Sequence, residues 1–429
     1  MPFISLPYSY HSLIYLLLVE LHPRSFEMNM LRARGEGVGT GGCPIPDHLS
    51  GAGGGPFVGK FTFYQINMIF SGACTVVVLF VTLGLMARHA ARMSNPSEQL
   101  KIMRVVNMIP SYQLLCFLSI CFPDAYLYIQ GFTEVFQGIA LYAFLMLLCD
   151  FMAPTDQDKV KFFSSLETKR QWQPKKKRNG LAFLNLSWWC VLQYPIITWV
   201  AAIAQVVTQS FRVFCLESNE VHFAHVWITV VTSLSTSVAV NAILQFYTKM
   251  KGYMKDNHPL TKLVAFKLIV GLVWIEKIIF LILTGTQTIV PGRQLTVNDV
   301  LIGFPNLIIC FQMVPISFFI LYAYPTKPYA ISYKSINLRP RAYQEIQSDG
   351  DEEMLTTESP KCYYGGWMGL RAWCIYLNPI NLCRDFWSAH KMISTSRAVH
   401  KAQMREEMEK ERDVMRYETG TRYGVTRAA

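Results

Sequence analysis

Runs of about twenty or more mostly apolar residues alternate along this chain with short links, many of them basic, and seven of the runs are long enough to cross a bilayer. A hydrocarbon core of about 30 Å takes roughly 20 residues of helix, and lipid offers no partners to free backbone groups, so such runs fold as spanning helices. Phe61 to Ala87, Val105 to Pro123, Leu181 to Phe211 and Val300 to Thr326 carry no charge. Val221 to Thr248 joins them with His222 and His225 at its outer end. Tyr126 to Met152 contains Glu134 and Asp150, and Leu263 to Val290 contains Lys267, Glu276 and Lys277. The pattern predicts an all-α, polytopic membrane protein with seven transmembrane helices.

Orientation follows from Lys and Arg, which short cytosolic loops retain. The links after the first, third and fifth spans hold sixteen of them, whereas the alternate links hold only Arg212 and Arg293. This bias predicts an N-terminus outside or lumenal and a C-terminus in the cytosol. Three regions result: an N-terminal lumenal or extracellular tail at 1–60, a membrane domain at 61–326 and a cytosolic tail at 327–429.

The first tail contains a short apolar run, Leu13 to Val19, without a basic segment before it or a small-residue cleavage site after it, which reads against a signal peptide. Gly35 to Gly59, rich in Gly and Pro, reads as disordered. The cytosolic tail divides into an acidic Ser/Thr segment, Ser348 to Ser359, an aromatic and cysteine segment, Cys362 to Trp387, and a charged helical segment, Lys401 to Tyr417. In the middle segment, aromatic rings and basic groups favour the headgroup zone, and Cys362, Cys374 and Cys383 are candidates for palmitoylation as a lipid anchor. No strict amphipathic period is visible there across Gly365, Gly366 and Pro379.

Composition sharpens this reading. Hydrophobic residues make up 52% and charged residues only 16%, against about 25% charged in soluble domains. A net charge of +11 would suggest nucleic acid in a soluble protein; here topology accounts for it, and no nucleic-acid partner is expected. The eleven cysteines show no CxxC spacing and the His residues are scattered, so no metal site or cofactor is called for. Cys74, Cys116, Cys149, Cys190 and Cys310 fall within spans, as small apolar residues do. The sequon at Asn185 lies inside a span.

Polar residues within the spans are the candidate chemistry. A charge at mid-bilayer costs about 2.5–3.5 kcal/mol on insertion scales, so it faces a cavity or a partner. Glu276 is near the centre of the sixth span, and Lys277 points about 100° away around the helix. Gln137 and Tyr142 in the third span, Gln193 and Tyr194 in the fourth, Asn241 and Gln245 in the fifth and Gln312 in the seventh lie at comparable depth. They either glue helices together, at about 0.6 kcal/mol per bond, or line a solute or ion pathway. Gluing needs no full charges, which favours a pathway for Glu276 and Lys277, with Gln312, Gln193, Asn241, Gln137 and Tyr142 as further liners. Pro110, Pro195, Pro305 and Pro315 remove backbone bonds in or at the ends of spans, as kinks or as hinges.

The chain resembles the organic solute transporter alpha and transmembrane protein 184 family over residues 60 to 330. Pro110-Ser-Tyr112 followed by Leu118-Ser119 looks like the family's Pro-x-Tyr and Leu-Ser pattern, and Leu141-Tyr142-Ala-Phe144-Leu145 its Ile-Tyr-x-Phe-Leu. Leu192-Gln193-Tyr194, Ser237 with Phe246-Tyr247, and Pro259-Leu-x-Lys262 with Lys267-Leu268 are similar to its later motifs. Cys310-Phe-Gln312-Met313 with Tyr322-Ala-Tyr324 and Pro328-Tyr329 resembles its seventh helix. The chain departs from the pattern where Gln137 and Gln312 replace Glu, Glu276 replaces Gln, Thr198-Trp199 replaces a basic residue and proline, and Asp150-Phe-Met-Ala-Pro replaces Gly-Gly-Glu. The resemblance implies facilitated movement of amphipathic organic solutes such as steroid-like or lipid-like anions. Membrane lipid and the solute would be its partners, with a homo-oligomer or an accessory membrane subunit left open as the assembly, in the plasma membrane or an endomembrane.

Other classes fit less well. A common signalling receptor would show Asp-Arg-Tyr where the third span ends Asp150-Phe151-Met152, and Asn-Pro-x-x-Tyr in the seventh. That last span has no Lys for a retinal Schiff base. An enzyme is not expected, since no His cluster, Ser/His/Asp set or paired mid-membrane carboxylates appear. A non-transporting lipid-binding, scaffold or receptor-like protein remains the alternative.

Overall fold

A computed structural model describes residues 55–153, 155–169, 177–211, 213–214, 223–254, 295–296, 299–330 and 363–425, with individual positions between 261 and 283. Helices dominate: α1 (Phe63–Ala91), α2 (Pro96–Cys121), α3 (Tyr126–Asp150), α4 (Asp156–Ser165), α5 (Gly180–Ser210), α6 (Ala224–Met250), α7 (Phe304–Ala323), α8 (Leu370–Leu377) and α9 (Pro379–Val425). Two short antiparallel hairpins accompany them, β1 (Pro56–Val58) with β2 (Phe61–Thr62) and β3 (Glu167–Lys169) with β4 (Lys177–Asn179). Among the described residues six helices are long and apolar enough to span: α1, α2, α3, α5, α6 and α7. Glu276 and Lys277, with most of the expected sixth span, lie outside the described residues.

Local chemistry sets the helix boundaries. Thr62 caps α1 with a capping box, its hydroxyl accepting from the Gln65 amide while the Gln65 side chain accepts from Thr62 N–H. Asn95 caps α2 and Pro96 occupies the first turn, so α2 begins nine residues before the apolar run at Val105. Buried Gln99 then stitches the α1–α2 turn: its Oε1 accepts from Ser94 and Asn95 N–H, and its Nε2 donates to the His89 and Arg92 carbonyls. Lys101 and Arg104, counted as link residues by charge, are therefore helical, and Arg104 is buried.

The chain divides into two units, Met1–Leu148 with Cys190–Leu377 and Cys149–Trp189 with Asn378–Ala429. In the first, α1, α2 and α7 pack together. The buried stripe of α1 carries five polar residues, Asn67, Ser71, Thr75, Thr82 and His89, among apolar ones such as Val78, Leu85 and Met86, while Ile69, Val76 and Phe80 are 64, 68 and 82% exposed. This inversion of a soluble helix is stable only where the exterior is apolar. Each inward polar group finds a partner. Asn67 donates to the Gly303 carbonyl and accepts from Ser71, Gln113 donates to Thr75, and His89 Nε2 donates to the Tyr324 carbonyl 3.2 Å away. Cys74, Cys116 and Cys310 form an apolar cluster with Ile120, as their reading as small core residues requires.

In the second unit α4 packs against α9. Lys159 of α4 reaches Asp150, at the end of α3, at 2.8 Å, both side chains almost fully buried. Burial pulls the Lys159 ammonium down, but the adjacent Asp150 carboxylate outweighs it and holds the group at about 12. The tail helix α9 is longer than the Lys401 to Tyr417 segment expected from charge, and absorbs the end of the aromatic segment. Arg397 lies 4.9 Å over the Trp189 ring, and His390 packs on Trp188.

Candidate solute-binding site

Within the first unit, α2, α3 and α5 bring together a polar network. Tyr112 of α2 donates its phenolic hydrogen to Gln137 Oε1 at 2.8 Å, and Tyr194 of α5 donates to Glu134 Oε2 at 2.7 Å. Both phenols and Gln137 are buried. Thr133 and Thr236 come within side-chain range of the Tyr112 and Tyr194 hydroxyls. Glu134 is eight residues into α3, about 12 Å along the axis. A proline adjoins each phenol, Pro110 in α2 and Pro195 in α5, and each removes a backbone bond at the level of the network.

Glycine brings α3 and α5 close. Gly131 and Gly138, two turns apart on α3, face Ala202 and Pro195 of α5, and Gln205 clasps the Leu127 carbonyl at 2.7 Å. A Cβ on Gly138 would stand 2.9 Å from the Pro195 Cα, which is backbone and cannot swing aside; at Gly131 the nearest atom, at 3.0 Å, is the end of the Gln205 side chain. Gly138→Ala is therefore expected to cost about 1–3 kcal/mol and to lower the melting temperature in detergent clearly more than Gly131→Ala. Equal melting temperatures would contradict this packing.

Of the residues singled out from sequence, Gln137 belongs to this network. Gln193 bridges α5 to α6, its Nε2 donating to the Ser235 and Cys190 carbonyls and its Oε1 accepting from the Ser235 hydroxyl at 2.8 Å. Tyr142 is buried, whereas Asn241 and Gln312 are half-buried. Cys374 and Cys383 are exposed free thiols, and Cys362 lies outside the described residues. Glu134, Tyr112 and Ser235 were not among the pathway candidates, and Tyr194 was noted for its depth and its motif alone. The signal for Glu134 was present as a charge inside a span; its partner lies 60 residues on.

An apolar groove of about 250 Å³ opens between α1 and α7, lined by Phe63, Ile66, Asn67, Phe70, Leu307, Ile308 and Phe311. It shares no residue with the network.

Apolar side chains outward and hydrogen-bonded polar groups inward define an integral, multi-pass helical membrane protein. The chain belongs to the organic solute transporter Ostalpha family, whose model matches residues 67–329, and the resemblance drawn from its motifs is thereby borne out. Protein LAZ1 of Arabidopsis thaliana is 26% identical over 286 residues, 61% of this chain and 58% of that relative. Protein LAZ1 homolog 1 of the same plant is 22% identical over 275 residues, 59% of this chain and 56% of the relative. The chain thus spans less than three fifths of the length of these relatives. No solved structure matches it.

Proposed function

We propose that the protein moves amphipathic organic solutes, steroid-like or lipid-like anions, across its membrane by facilitated transport through the polar interior of the bundle. The observation that carries this reading is the pairing of half-buried Glu134 with buried Tyr194 beside Tyr112–Gln137. Two phenols can donate to an anionic head, and a carboxyl that occupies one of them can compete with that head. Full charge in a span is costly, and adhesion between helices does not need it. Glu276, Lys277, Asn241 and Gln312 extend the proposed pathway on sequence grounds. The test is uptake of a labelled steroid sulfate by vesicles containing the purified protein: saturable uptake supports the reading, and uptake no greater than in protein-free vesicles overturns it.

The orientation belongs to the same proposal, with the basic links and the C-terminus in the cytosol and the N-terminus outside or lumenal. Tags at both ends, digested in sealed vesicles of cytosolic-side-out orientation, should show the C-terminal tag cleaved and the N-terminal tag protected. Both tags on one side would contradict seven spans.

A further inference from the structure

Residues 363–377 form a strap whose two faces differ. Its inner stripe is Gly365, Gly369 and Ala372, completed by half-buried Tyr376. The stripe lies against the end of α1. Tyr364 N–H donates to the Met93 carbonyl at 2.8 Å, and a Cβ on Gly365 or Gly369 would fall within 2.9 Å of the Ala90 backbone. Gly366 and Gly369 also adopt φ of +70° and +81°, which favours glycine and shapes the turn into α8. No helical period runs through this segment, in keeping with the sequence, yet its two faces differ because glycines form the inner one.

The outer face is apolar and open. Trp367, Met368, Leu370 and Leu377 are 78, 76, 51 and 69% exposed, with Cys374 and Arg371 beside them. The position of this face along α1 identifies its partner. Phe80 and Leu83 are outward apolar residues of the span, and Ala90 follows Leu83 by seven residues, about 10 Å of helix. A strap held there by backbone contacts lies at the basic end of α1, whose last turn carries Arg88, and exposed Trp367 is a residue of the type that prefers the zone where hydrocarbon gives way to headgroups. Arg371 adds attraction to anionic lipid.

We propose that the strap 363–377 is a membrane-surface element that seats Trp367, Met368, Leu370 and Leu377 in the headgroup zone of the adjoining leaflet. This holds whether or not the bundle transports anything. The test places photoreactive benzoylphenylalanine singly at 367, 370, 377 and, as an inward-facing control of similar size, at 376. The full-length protein is reconstituted in phosphatidylcholine/phosphatidylserine vesicles. Lipid adducts at 367, 370 and 377 should exceed those at 376 several-fold, and should persist in a Cys374→Ser background. Equal yields at all four positions would overturn the proposal, as would adducts to a second copy of the chain in place of lipid. Loss of the lipid adducts in Cys374→Ser would also overturn it, because an acyl chain and not the apolar face would then hold the strap.

Discussion

Glu134→Gln is expected to raise the uptake of an anionic solute while leaving the yield of folded protein unchanged. The amide keeps the size of the side chain and an oxygen for the Tyr194 hydroxyl, which now donates to Glu134 at 2.7 Å. What it removes is the carboxylate that competes with an anionic head for that phenol. Glu134→Leu differs: it leaves the buried Tyr194 hydroxyl without its carboxyl partner, at about 1–3 kcal/mol of stability, so part of the protein should be lost to misfolding. Tyr194→Phe should lower uptake about tenfold at every pH, which corresponds to the loss of one charge-assisted bond to the solute of about 1.5 kcal/mol. Uptake measured at equal amounts of folded protein separates these outcomes. A Glu134→Gln rate equal to that of wild type would make the carboxyl a purely structural acceptor.

Lys159→Met should lower the hydrogen-exchange protection of α4 a hundredfold or more. Lys159 and Asp150 are both almost fully buried and 2.8 Å apart, and removing one partner leaves the other charge buried without its counter-ion, a loss of about 3–5 kcal/mol. The Lys159 ammonium titrates at about 12 against an ordinary 10.5. A raised folded-state value means that its contribution is complete below the ordinary value and is lost only as pH climbs through about 12. The effect should therefore be the same at pH 6 and pH 8. The double variant Asp150→Leu with Lys159→Met should recover most of the protection, because two apolar side chains replace the pair without an orphan charge. Unchanged protection in Lys159→Met would contradict the burial of the pair.

These two sites mark where the sequence was legible. Apolar runs of twenty residues identified α1, α2, α3, α5, α6 and α7 because only helices satisfy backbone groups in lipid. Charge misplaced the start of α2: Lys101 and Arg104 read as loop, yet the Asn95 cap and Pro96 begin the helix before them. Glu134 was visible as a charge, but its meaning depends on Tyr194, 60 residues away on another helix, and no local period links them. Glu276 and Lys277 drew attention by their central position in an apolar run, and they lie outside the described residues. In the tail, glycines at 365 and 369 hid an amphipathic face, since a residue without a side chain contributes nothing to a hydrophobic pattern even where it forms the contact.

Facilitated transport of an organic anion is the central claim, and counterflow tests it most directly. Vesicles containing the purified protein are loaded with unlabelled steroid sulfate and diluted into a trace of the labelled compound. A carrier with one pathway for both directions predicts a transient accumulation of label above its equilibrium level, absent from protein-free vesicles. A monotonic rise to equilibrium, at the rate of protein-free vesicles, would contradict transport and leave a lipid-binding or scaffold protein with a polar interior.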